Sequence, residues 1–360
     1  MRGLAVAIAV LAIASGATAR ADGEITLRGV YYKEHATRVE QPMVDGTFDA
    51  GDNATVDAHV LVDAITSASA GATADGSAFS ERRWEAGLGY TRNLGAWRAG
   101  AAGRISTESD YDSWFASGRI ARDLADKNTT IALGFGAGRD HITNAGAKGP
   151  FAPDISEHLV ALMGTASLTQ ILSTNALASV TYDLGILDGY LENPYRTVIT
   201  ADGLVGERVP QRRTRNAVAA LVRNYFPSTE TTLIASYRYY RDGWGVHAHT
   251  PEVRVVQQAG DGLAFGAGFR YYRQTRASFW KPTYPSSDPA MEPFLTDDPK
   301  LSAFTGATMT MRFEVEGSVF GFSGLLGAMR GEAIVEYAVQ HNRFGNAGVG
   351  HVALTVPFEY

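Results

Sequence analysis

The sequence predicts an all-β transmembrane barrel of about 16 antiparallel strands, with 14 as the alternative count. Two observations carry this prediction. From Glu24 onward, apolar residues recur at every second position over segments of about 10–14 residues, which is long for soluble strands and enough to cross a bilayer at a tilt. The connections alternate between short turns and long polar loops, which is the asymmetry of outer-membrane barrels.

Composition indicates the compartment and excludes several classes of function. The chain has 360 residues, no cysteine and a formal net charge of −6, which exclude thiolate chemistry and argue against nucleic acid as a partner. Residues 1–21 combine a basic start, an apolar stretch and an Ala-Arg-Ala cleavage site, so we expect a cleaved signal peptide followed by one barrel domain, 22–360. We therefore expect the protein in the outer membrane of a Gram-negative envelope.

Sixteen segments follow the two-residue period. In "TVDAHVLVDA" (55–64), one face carries Val, Ala, Val, Val and Ala, and the other carries Asp, His, Leu and Asp. The predicted strands are 24–34, 36–48, 54–66, 80–92, 96–106, 111–123, 128–140, 156–171, 176–187, 212–226, 230–241, 245–258, 262–275, 300–313, 329–341 and 351–360. The apolar segment 314–328 is predicted to be a connection that includes a short helix.

The connections predict the orientation. Short turns, expected in the periplasm, fall near 49–53, 93–95, 124–128, 173–175, 227–229 and 259–262. Long loops, expected outside the cell, fall near 67–79, 141–155, 188–211 and 276–299. Aromatic residues cluster near strand ends, as in "RYYR" (270–273), which is typical of the girdles at the two membrane interfaces. The alternatives are a soluble β-sandwich, whose strands are shorter, and a periplasmic solenoid, which needs a fixed repeat.

Several stretches resemble one known family. They include "VDAITSAS" (62–69), "DGYLENPYR" (188–196), "FRYYRQTRASFW" (269–280) and, most specifically, the segment 213–253. These are similar to the outer-membrane barrel family catalogued as domain of unknown function 3570. The resemblance implies an outer-membrane barrel and supplies no activity or catalytic residue. This chain departs from the family after Phe313, where it has its own apolar insert.

Charged residues on the polar strand faces are the candidate functional residues. We expect these side chains to line the lumen, because arginine facing lipid would cost about 2–4 kcal/mol at the midplane. The predicted lining residues are Asp57, His59, Asp63, Arg83, Glu85, Arg98, Arg104, Arg119, Arg238, Arg270 and Arg312. Their mixed charge indicates either passage of small polar solutes or a lumen plugged by loops.

Two motifs invite a binding interpretation. The glycines of "LGFGAGR" (133–139) alternate within a strand and lack the strand-to-helix context of a phosphate loop, so we expect them to leave space inside the barrel. His247 and His249 lie two residues apart, with Glu252 close by, and are weak candidates for a Zn²⁺ or Cu²⁺ site. The alternative is that both histidines are rim residues beside the aromatic girdle.

No spacing of residues predicts catalysis. Asp57, His59 and Asp63 could form an acid–base cluster, but ionisable residues are expected in any hydrated lumen. The segment "GFSGL" (321–325) lacks the glycine spacing of a nucleophile elbow. The acidic loop 284–299 is either a Ca²⁺ site or, as we favour, a solvated loop. We expect no enzyme activity and no cofactor.

The last strand, "HVALTVPFEY" (351–360), ends on an aromatic residue in mid-pattern. We interpret it as the signal read by the outer-membrane assembly machinery and as the strand that closes the barrel. The signal residues are Val352, Leu354, Val356, Phe358 and Tyr360. The further expected partners are outer-membrane lipid, lipopolysaccharide and small polar solutes. The favoured function is a channel or transport barrel, and the alternative is a non-conducting scaffold in an envelope complex.

Overall fold

Sixteen long strands close into one antiparallel barrel in the computed structural model, which describes residues 22–35, 37–68, 78–144 and 155–358. The strands are β1 (Gly23–Lys33), β2 (Thr37–Asp49), β3 (Ala54–Ala68), β4 (Ala78–Leu94), β5 (Trp97–Thr107), β6 (Tyr111–Leu124), β7 (Thr129–Thr143), β8 (Ser156–Ser173), β9 (Ala176–Gly189), β12 (Arg212–Phe226), β13 (Thr231–Asp242), β14 (His247–Gln258), β15 (Leu263–Gln274), β16 (Phe304–Glu316), β17 (Arg330–Gln340) and β18 (Ala347–Phe358). A hairpin of β10 (Thr197–Thr200) and β11 (Gly203–Gly206) forms a separate sheet between β9 and β12.

The strand count of 16 is confirmed, and the alternative of 14 is wrong. Most strand ends lie within three residues of the predicted ones. The larger differences are at the start of β16, which begins at Phe304 because Pro299–Leu301 forms a 3-10 turn, and at the start of β18, which begins at Ala347. The hairpin β10–β11 was not predicted, because its two strands have only four residues each and offer no extended period.

The barrel closes between its first and last strands. The ladder runs from the pair Gly23 and Phe358 to the pair Lys33 and Gly348. Three pairs from its Gly23 end, the hydroxyl oxygens of Thr26 and Thr355 lie 3.0 Å apart. A strand in lipid has no water for its unpaired backbone groups, so this seam removes the two edges that would otherwise remain open.

The two faces of the strands differ in the way that the sequence period predicts. Large apolar side chains on the outer face are exposed, including Phe135 at 72%, Met311 at 71% and Trp114 at 66%. Charged and hydroxyl-bearing side chains occupy the alternate positions, which face the barrel interior. Such a continuous exposed apolar surface is the lipid-facing belt of a membrane barrel. Among the described residues, no helix is both long and apolar enough to span a membrane.

The alternating glycines of β7 lie beside a cross-strand aromatic ring and an interior cavity. A Cβ atom at Gly136 would lie 2.4 Å from Cζ of Phe115, and one at Gly138 would lie 2.9 Å from its Cδ2 atom. The aromatic ring on β6 therefore lies flat over the glycines of β7. Gly134 and Gly136 also line the interior cavity of about 570 Å³, so the expected space lies beside this cross-strand ring.

The apolar segment after β16 forms the predicted short helix. A 3-10 turn, Gly317–Phe320, leads into α1 (Gly324–Ala328) before β17 begins. Phe320 and Phe322 are 66% and 54% exposed, and their ring centroids are 6.4 Å apart. This connection lies at the same end of the barrel as the short turns.

Candidate functional site

A chain of charges crosses the first five strands on the interior face. Arg28 Nε lies 3.1 Å from Asp45 Oδ2, and His59 Nδ1 lies 2.6 Å from Asp45 Oδ1. On its other side, His59 Nε2 lies 3.8 Å from Glu85 Oε1, which is 3.4 Å from the Arg104 guanidinium. The five side chains come from β1 to β5 in order, so each pair is formed between neighbouring strands.

Arg28 and Asp45 were missed at the sequence level. Both lie on the two strands whose period is weakest, because "VEQPMVDG" (39–46) interrupts the alternation with proline and glycine. Asp45 joins Arg28 to His59, so the chain of charges is incomplete without it. The signal that could have found it is register: Asp45 lies directly opposite His59 once β2 and β3 are paired.

The other predicted residues of this wall are also paired. Asp63, which is only 3% exposed, forms an ion pair with Arg83 on the next strand. Asp57 accepts a hydrogen bond of 3.0 Å from the Thr47 hydroxyl. A cavity of about 580 Å³ lies against this wall, and its lining includes Asp57, His59, Glu85, Arg104 and Arg119.

Two further predicted arginines lie among polar partners nearer the short-turn end. Arg98 Nε donates to Asn93 at 3.3 Å, and its guanidinium reaches Asp123 at 4.0 Å. Arg312 donates from Nε to Glu332 at 2.7 Å and also forms an ion pair with Glu314. Both arginines are thus compensated by local carboxylates or amides.

Arg119, Arg238 and Arg270 differ from these residues. Among the described residues, none of the three has a carboxylate within the 4.0 Å that defines an ion pair. Within the described part of the chain, the Arg270 guanidinium donates one hydrogen bond, to the Thr308 hydroxyl at 3.4 Å, and Arg238 lies 5.8 Å from the Tyr240 ring centroid. Arg238 and Arg270 line a cavity of about 740 Å³, and Arg238 joins Arg119 in lining a second of about 570 Å³.

The two candidate metal-binding histidines face outward. The Tyr239 phenol oxygen lies 2.8 Å from His247 Nδ1, and the Tyr237 phenol oxygen lies 2.5 Å from His249 Nδ1. Glu252 lies on the opposite face of β14 and lines the 740 Å³ cavity. The expected proximity of Glu252 to the histidines was wrong, because an odd separation along a strand puts side chains on opposite faces.

The two longest loops fold together into what we call the cap, residues 190–211 and 275–303. The hairpin β10–β11 buries Val198 against Tyr284 and Leu295 of the other loop, and Val198 and Leu295 have no exposed surface. Backbone bridges at Thr200–Tyr284 and Arg208–Leu295 join the two loops. The cap therefore has a small apolar core of its own.

Buried ions hold the cap together. Glu207 Oε1 accepts a hydrogen bond of 2.6 Å from the Thr296 hydroxyl and lies 3.4 Å from Arg196 Nε. The Arg196 guanidinium also lies 3.4 Å from Asp298, so one arginine joins both loops. Burial raises the pKa of Glu207, and the Arg196 charge and the Thr296 hydrogen bond oppose that shift.

A second cluster anchors the cap to the barrel rim. Asp242, at the end of β13, accepts hydrogen bonds from the Arg213 guanidinium, from the Tyr240 phenol and from the backbone N–H groups of Trp244 and Val246. The Arg213 guanidinium carbon lies 4.3 Å from the Trp244 ring centroid. The Trp244 ring packs in a buried apolar cluster with Val209, Val246, Ala277 and Leu301.

The cap contacts distant parts of the rim. The Tyr195 phenol donates to Asp110 in the connection between β5 and β6. On another side, Arg343, between β17 and β18, forms an ion pair of 3.0 Å with Asp297 of the cap. These two connections are separated by many strands in either direction around the barrel. The cap thus extends across the mouth of the barrel.

The acidic loop 284–299 is more ordered than a solvated loop. Glu292, Asp297 and Asp298 pair with Lys281, Arg343 and Arg196 respectively. The fourth carboxylate, Asp288, accepts a hydrogen bond of 2.9 Å from the backbone N–H of Ala290. These carboxylates hold the loop in place, which sequence reasoning missed because their cationic partners lie far away along the chain.

Three carboxylates gather beneath Tyr195: Glu81, Glu108 and Asp110. Burial and the neighbouring charges of Glu81 and Asp110 raise the pKa of Glu108 to about 7. Within the described part of the chain, this is the one group of such side chains close enough together to hold a metal ion, and clusters of exposed acids are common without one.

The predicted assembly residues lie on one face of the closing strand. Val352 and Leu354 are 61% and 38% exposed on the outer face. The Phe358 ring lies 5.7 Å from the Phe48 ring of β2, measured between centroids. Tyr360 lies outside the described residues.

These features define a class of protein: a closed 16-stranded antiparallel barrel of the outer-membrane type, with a folded cap across one mouth. The chain belongs to the family described as protein of unknown function DUF3570, whose model matches residues 75–318, about two thirds of its length. No protein with a curated description matches it.

Two solved structures share the fold. A bacterial polysaccharide outer membrane secretin is similar with a TM-score of 0.52 and 9% identity, covering 93% of this chain and 98% of its own. OccAB1 of Acinetobacter baumannii is similar with a TM-score of 0.50 and 10% identity, covering 94% and 96%. At these identities the likeness concerns the fold alone.

The raised pKa of Glu108 predicts a dependence of stability on pH. Between about pH 4.5 and pH 7 the folded chain holds a proton on Glu108 that the unfolded chain has released, so stability should fall as pH rises through this window. We expect a loss of about 1 kcal/mol after allowance for solvent screening. Chemical denaturation of the refolded protein at several pH values measures it.

The variant Glu108→Gln should flatten this pH profile, because its amide does not titrate. Asp261→Asn, in an exposed turn on the other rim, serves as the matched control and should keep the wild-type profile. Equal pH slopes for the wild type and for Glu108→Gln would contradict the prediction.

Proposed function

We propose that this protein is an outer-membrane channel for small polar solutes, and that its cap narrows the extracellular mouth. The observation that carries this proposal is the set of arginines Arg119, Arg238 and Arg270, which line interior cavities and form no ion pair among the described residues. A guanidinium without a counter-charge needs water or an anion beside it. Side chains cannot fill the interior of a barrel this wide, which supports a hydrated passage.

The cavities favour solutes with negative charge along part of the route. The wall from β1 to β5 neutralises itself through the pairs around Asp45 and Glu85. The 570 Å³ cavity is lined by Arg119, Arg215 and Arg238 against one acid, Asp183, so the charge there is positive. In the 740 Å³ cavity, Glu252 and Glu336 balance Arg238 and Arg270 in number. No catalytic step and no cofactor are part of the proposal. Its partners are membrane lipid, lipopolysaccharide on the outer leaflet, the assembly machinery and the solute.

A non-conducting scaffold is the second candidate. The contacts of the cap with both Asp110 and Arg343 favour it, because they tie opposite sides of the mouth together. A surface fixed in this way could serve as a platform for an envelope partner.

Replacement of Arg119, Arg238 and Arg270 together by glutamine tests the proposed channel. In planar bilayers under a KCl gradient, we expect the wild type to conduct with a preference for anions. The reversal potential of the triple variant should shift toward the cation-selective sign, because three fixed positive charges are removed.

Arg122→Gln is the matched control, since Arg122 lies on the outer face against the Trp97 ring. It should leave the reversal potential unchanged. Absence of current through the folded wild type would overturn the channel proposal, and a reversal potential unaffected by the triple substitution would overturn the role of these arginines.

Removal of the hairpin tests the cap. The backbone N–H of Glu207 donates to the Arg196 carbonyl at 3.2 Å, so two glycines can replace Thr197–Gly206 without stretching the chain. We expect a larger single-channel conductance, because the cap then loses the Val198 part of its core. The variant Ile199→Ser, at an exposed hairpin position, should conduct as the wild type does.

The two candidate functions separate in this experiment. If the full chain and the hairpin deletion are both folded and neither conducts current, the channel proposal is overturned and the scaffold function is favoured. If the deletion conducts no better than the wild type, the cap does not limit the passage.

Deletion of Phe358, Glu359 and Tyr360 tests the proposed assembly signal. We expect the truncated chain to reach the periplasm and to fail to insert, because the closing strand loses its last aromatic residues and its pairing with Gly23. Membrane fractionation and heat-modifiable gel migration measure insertion. Substitution of Glu359 by glutamine alone is the control, and normal insertion of the truncation would refute the proposal.

A further inference from the structure

A group of cationic and imidazole side chains lies on the outer face at the cap end of β13, β14 and β15. The four residues are Arg241, His247, His249 and Arg273, which we call the outer basic patch. Arg241 lies opposite His247 in the ladder of β13 and β14, and His249 lies opposite Arg273 in the ladder of β14 and β15. Directly paired side chains of neighbouring strands are about 5 Å apart at Cβ, so the four form one surface.

This patch has no counter-charge among the residues that the structure describes. Among the described residues, no carboxylate lies within 4.0 Å of Arg241 or Arg273, although both are exposed. The residues opposite them on the flanking strands are Asn216 on β12 and Thr305 on β16, which are uncharged. Other exposed arginines have a carboxylate nearby, as Arg38 has Glu40, and what distinguishes the outer basic patch is that four cationic and imidazole side chains lie together.

The position of the patch along the strands sets its depth in the membrane. Along β13 the outward residues run from Leu233 and Ala235 to Tyr237, Tyr239 and Arg241. This is the order of a hydrocarbon belt, an aromatic girdle and a headgroup region. Arg241 and Arg273 therefore lie at the level of the outer-leaflet headgroups, next to the cap.

The histidines are held so that each can take part in binding. The Tyr237 and Tyr239 phenols occupy the Nδ1 atoms of His249 and His247. No hydrogen bond in the described part of the chain uses either Nε2 atom, which leaves two ring nitrogens available beside the two guanidinium groups. Arginine binds phosphate through two parallel N–H donors, and imidazole adds a single directed contact.

We propose that the outer basic patch binds the phosphate groups of lipopolysaccharide, so that a lipid A headgroup sits on β13–β15 beside the cap. The charge of the patch is complementary to that of phosphorylated lipid A, and the exposed tyrosines and apolar residues below it match the acyl chains. The inference rests on the proposed outer-membrane location and is independent of whether the barrel conducts.

Binding of lipid A to the folded protein in detergent tests this site. Titration with lipid A that carries both phosphates should saturate, and lipid A stripped of its phosphates should bind much more weakly. The double variant Arg241→Gln, Arg273→Gln should weaken the affinity by about twenty-fivefold, since each cation near an anionic lipid contributes about fivefold.

The matched control is Arg92→Gln with Arg122→Gln, two exposed arginines on the outer face at the other rim, which should bind as the wild type does. Equal binding of phosphorylated and dephosphorylated lipid A by the wild type would overturn the proposal without any variant, even if the double variant failed to fold. Unchanged affinity of a folded double variant would also overturn it. Displacement of lipid A by inorganic phosphate at matched concentration would replace the lipid site with a general anion site.

A channel that conducts normally while lipid A binding fails would refute this inference alone. If the barrel conducts no current but binds phosphorylated lipid A through the outer basic patch, the channel proposal is refuted and this inference is supported.

Discussion

The structure depends on the pairing of backbone hydrogen-bonding groups in a medium without water. Every barrel strand has a neighbour on both sides, and the seam between β1 and β18 satisfies the last two edges. Closure also fixes register, because a slip of one residue would move the charged face outward and the apolar face inward. The contact between Thr26 and Thr355 lies in this register, on the interior side of the seam. The placement of every charge in the barrel follows from this closure.

Interior charge is distributed unevenly around the closed wall. From β1 to β5, ion pairs form between neighbouring strands, so Asp45 and Glu85 each have a cation on a neighbouring strand. On β6, β13 and β15, Arg119, Arg238 and Arg270 line interior cavities without forming an ion pair among the described residues, although Glu252 and Glu336 line the cavity beside Arg238 and Arg270. On the exterior, at the cap end, the outer basic patch has no carboxylate within ion-pair distance of its arginines in the described part of the chain. The sheet thus carries arginines without an ion-pair partner among the described residues on two surfaces. One surface faces the barrel interior, and the other faces the lipid headgroups.

The cap is a second, smaller fold built on the first. Its buried residues Val198, Tyr284 and Leu295 come from two loops that are about 90 residues apart in sequence, and Arg196 links the carboxylates of both. A buried charge is costly without its partner. The ion pairs of Arg196 therefore favour one specific arrangement of the two loops. The Tyr195 phenol adds a contact with Asp110, beside the buried Glu108 carboxyl whose pKa is raised to about 7.

The sequence by itself determined the barrel, the number of strands and the face of most charged residues, because a period of two with long strands has only one closed solution in a membrane. It also predicted the short helix before β17. Only the tertiary structure decided which charges meet: the link of Asp45 with His59, the separation of Glu252 from His247 and the cover that Phe115 gives Gly136 depend on register between strands. The cap belongs to the same category. Its hairpin strands are too short to show a period, and its partners come together only after the barrel has brought distant loops to one rim.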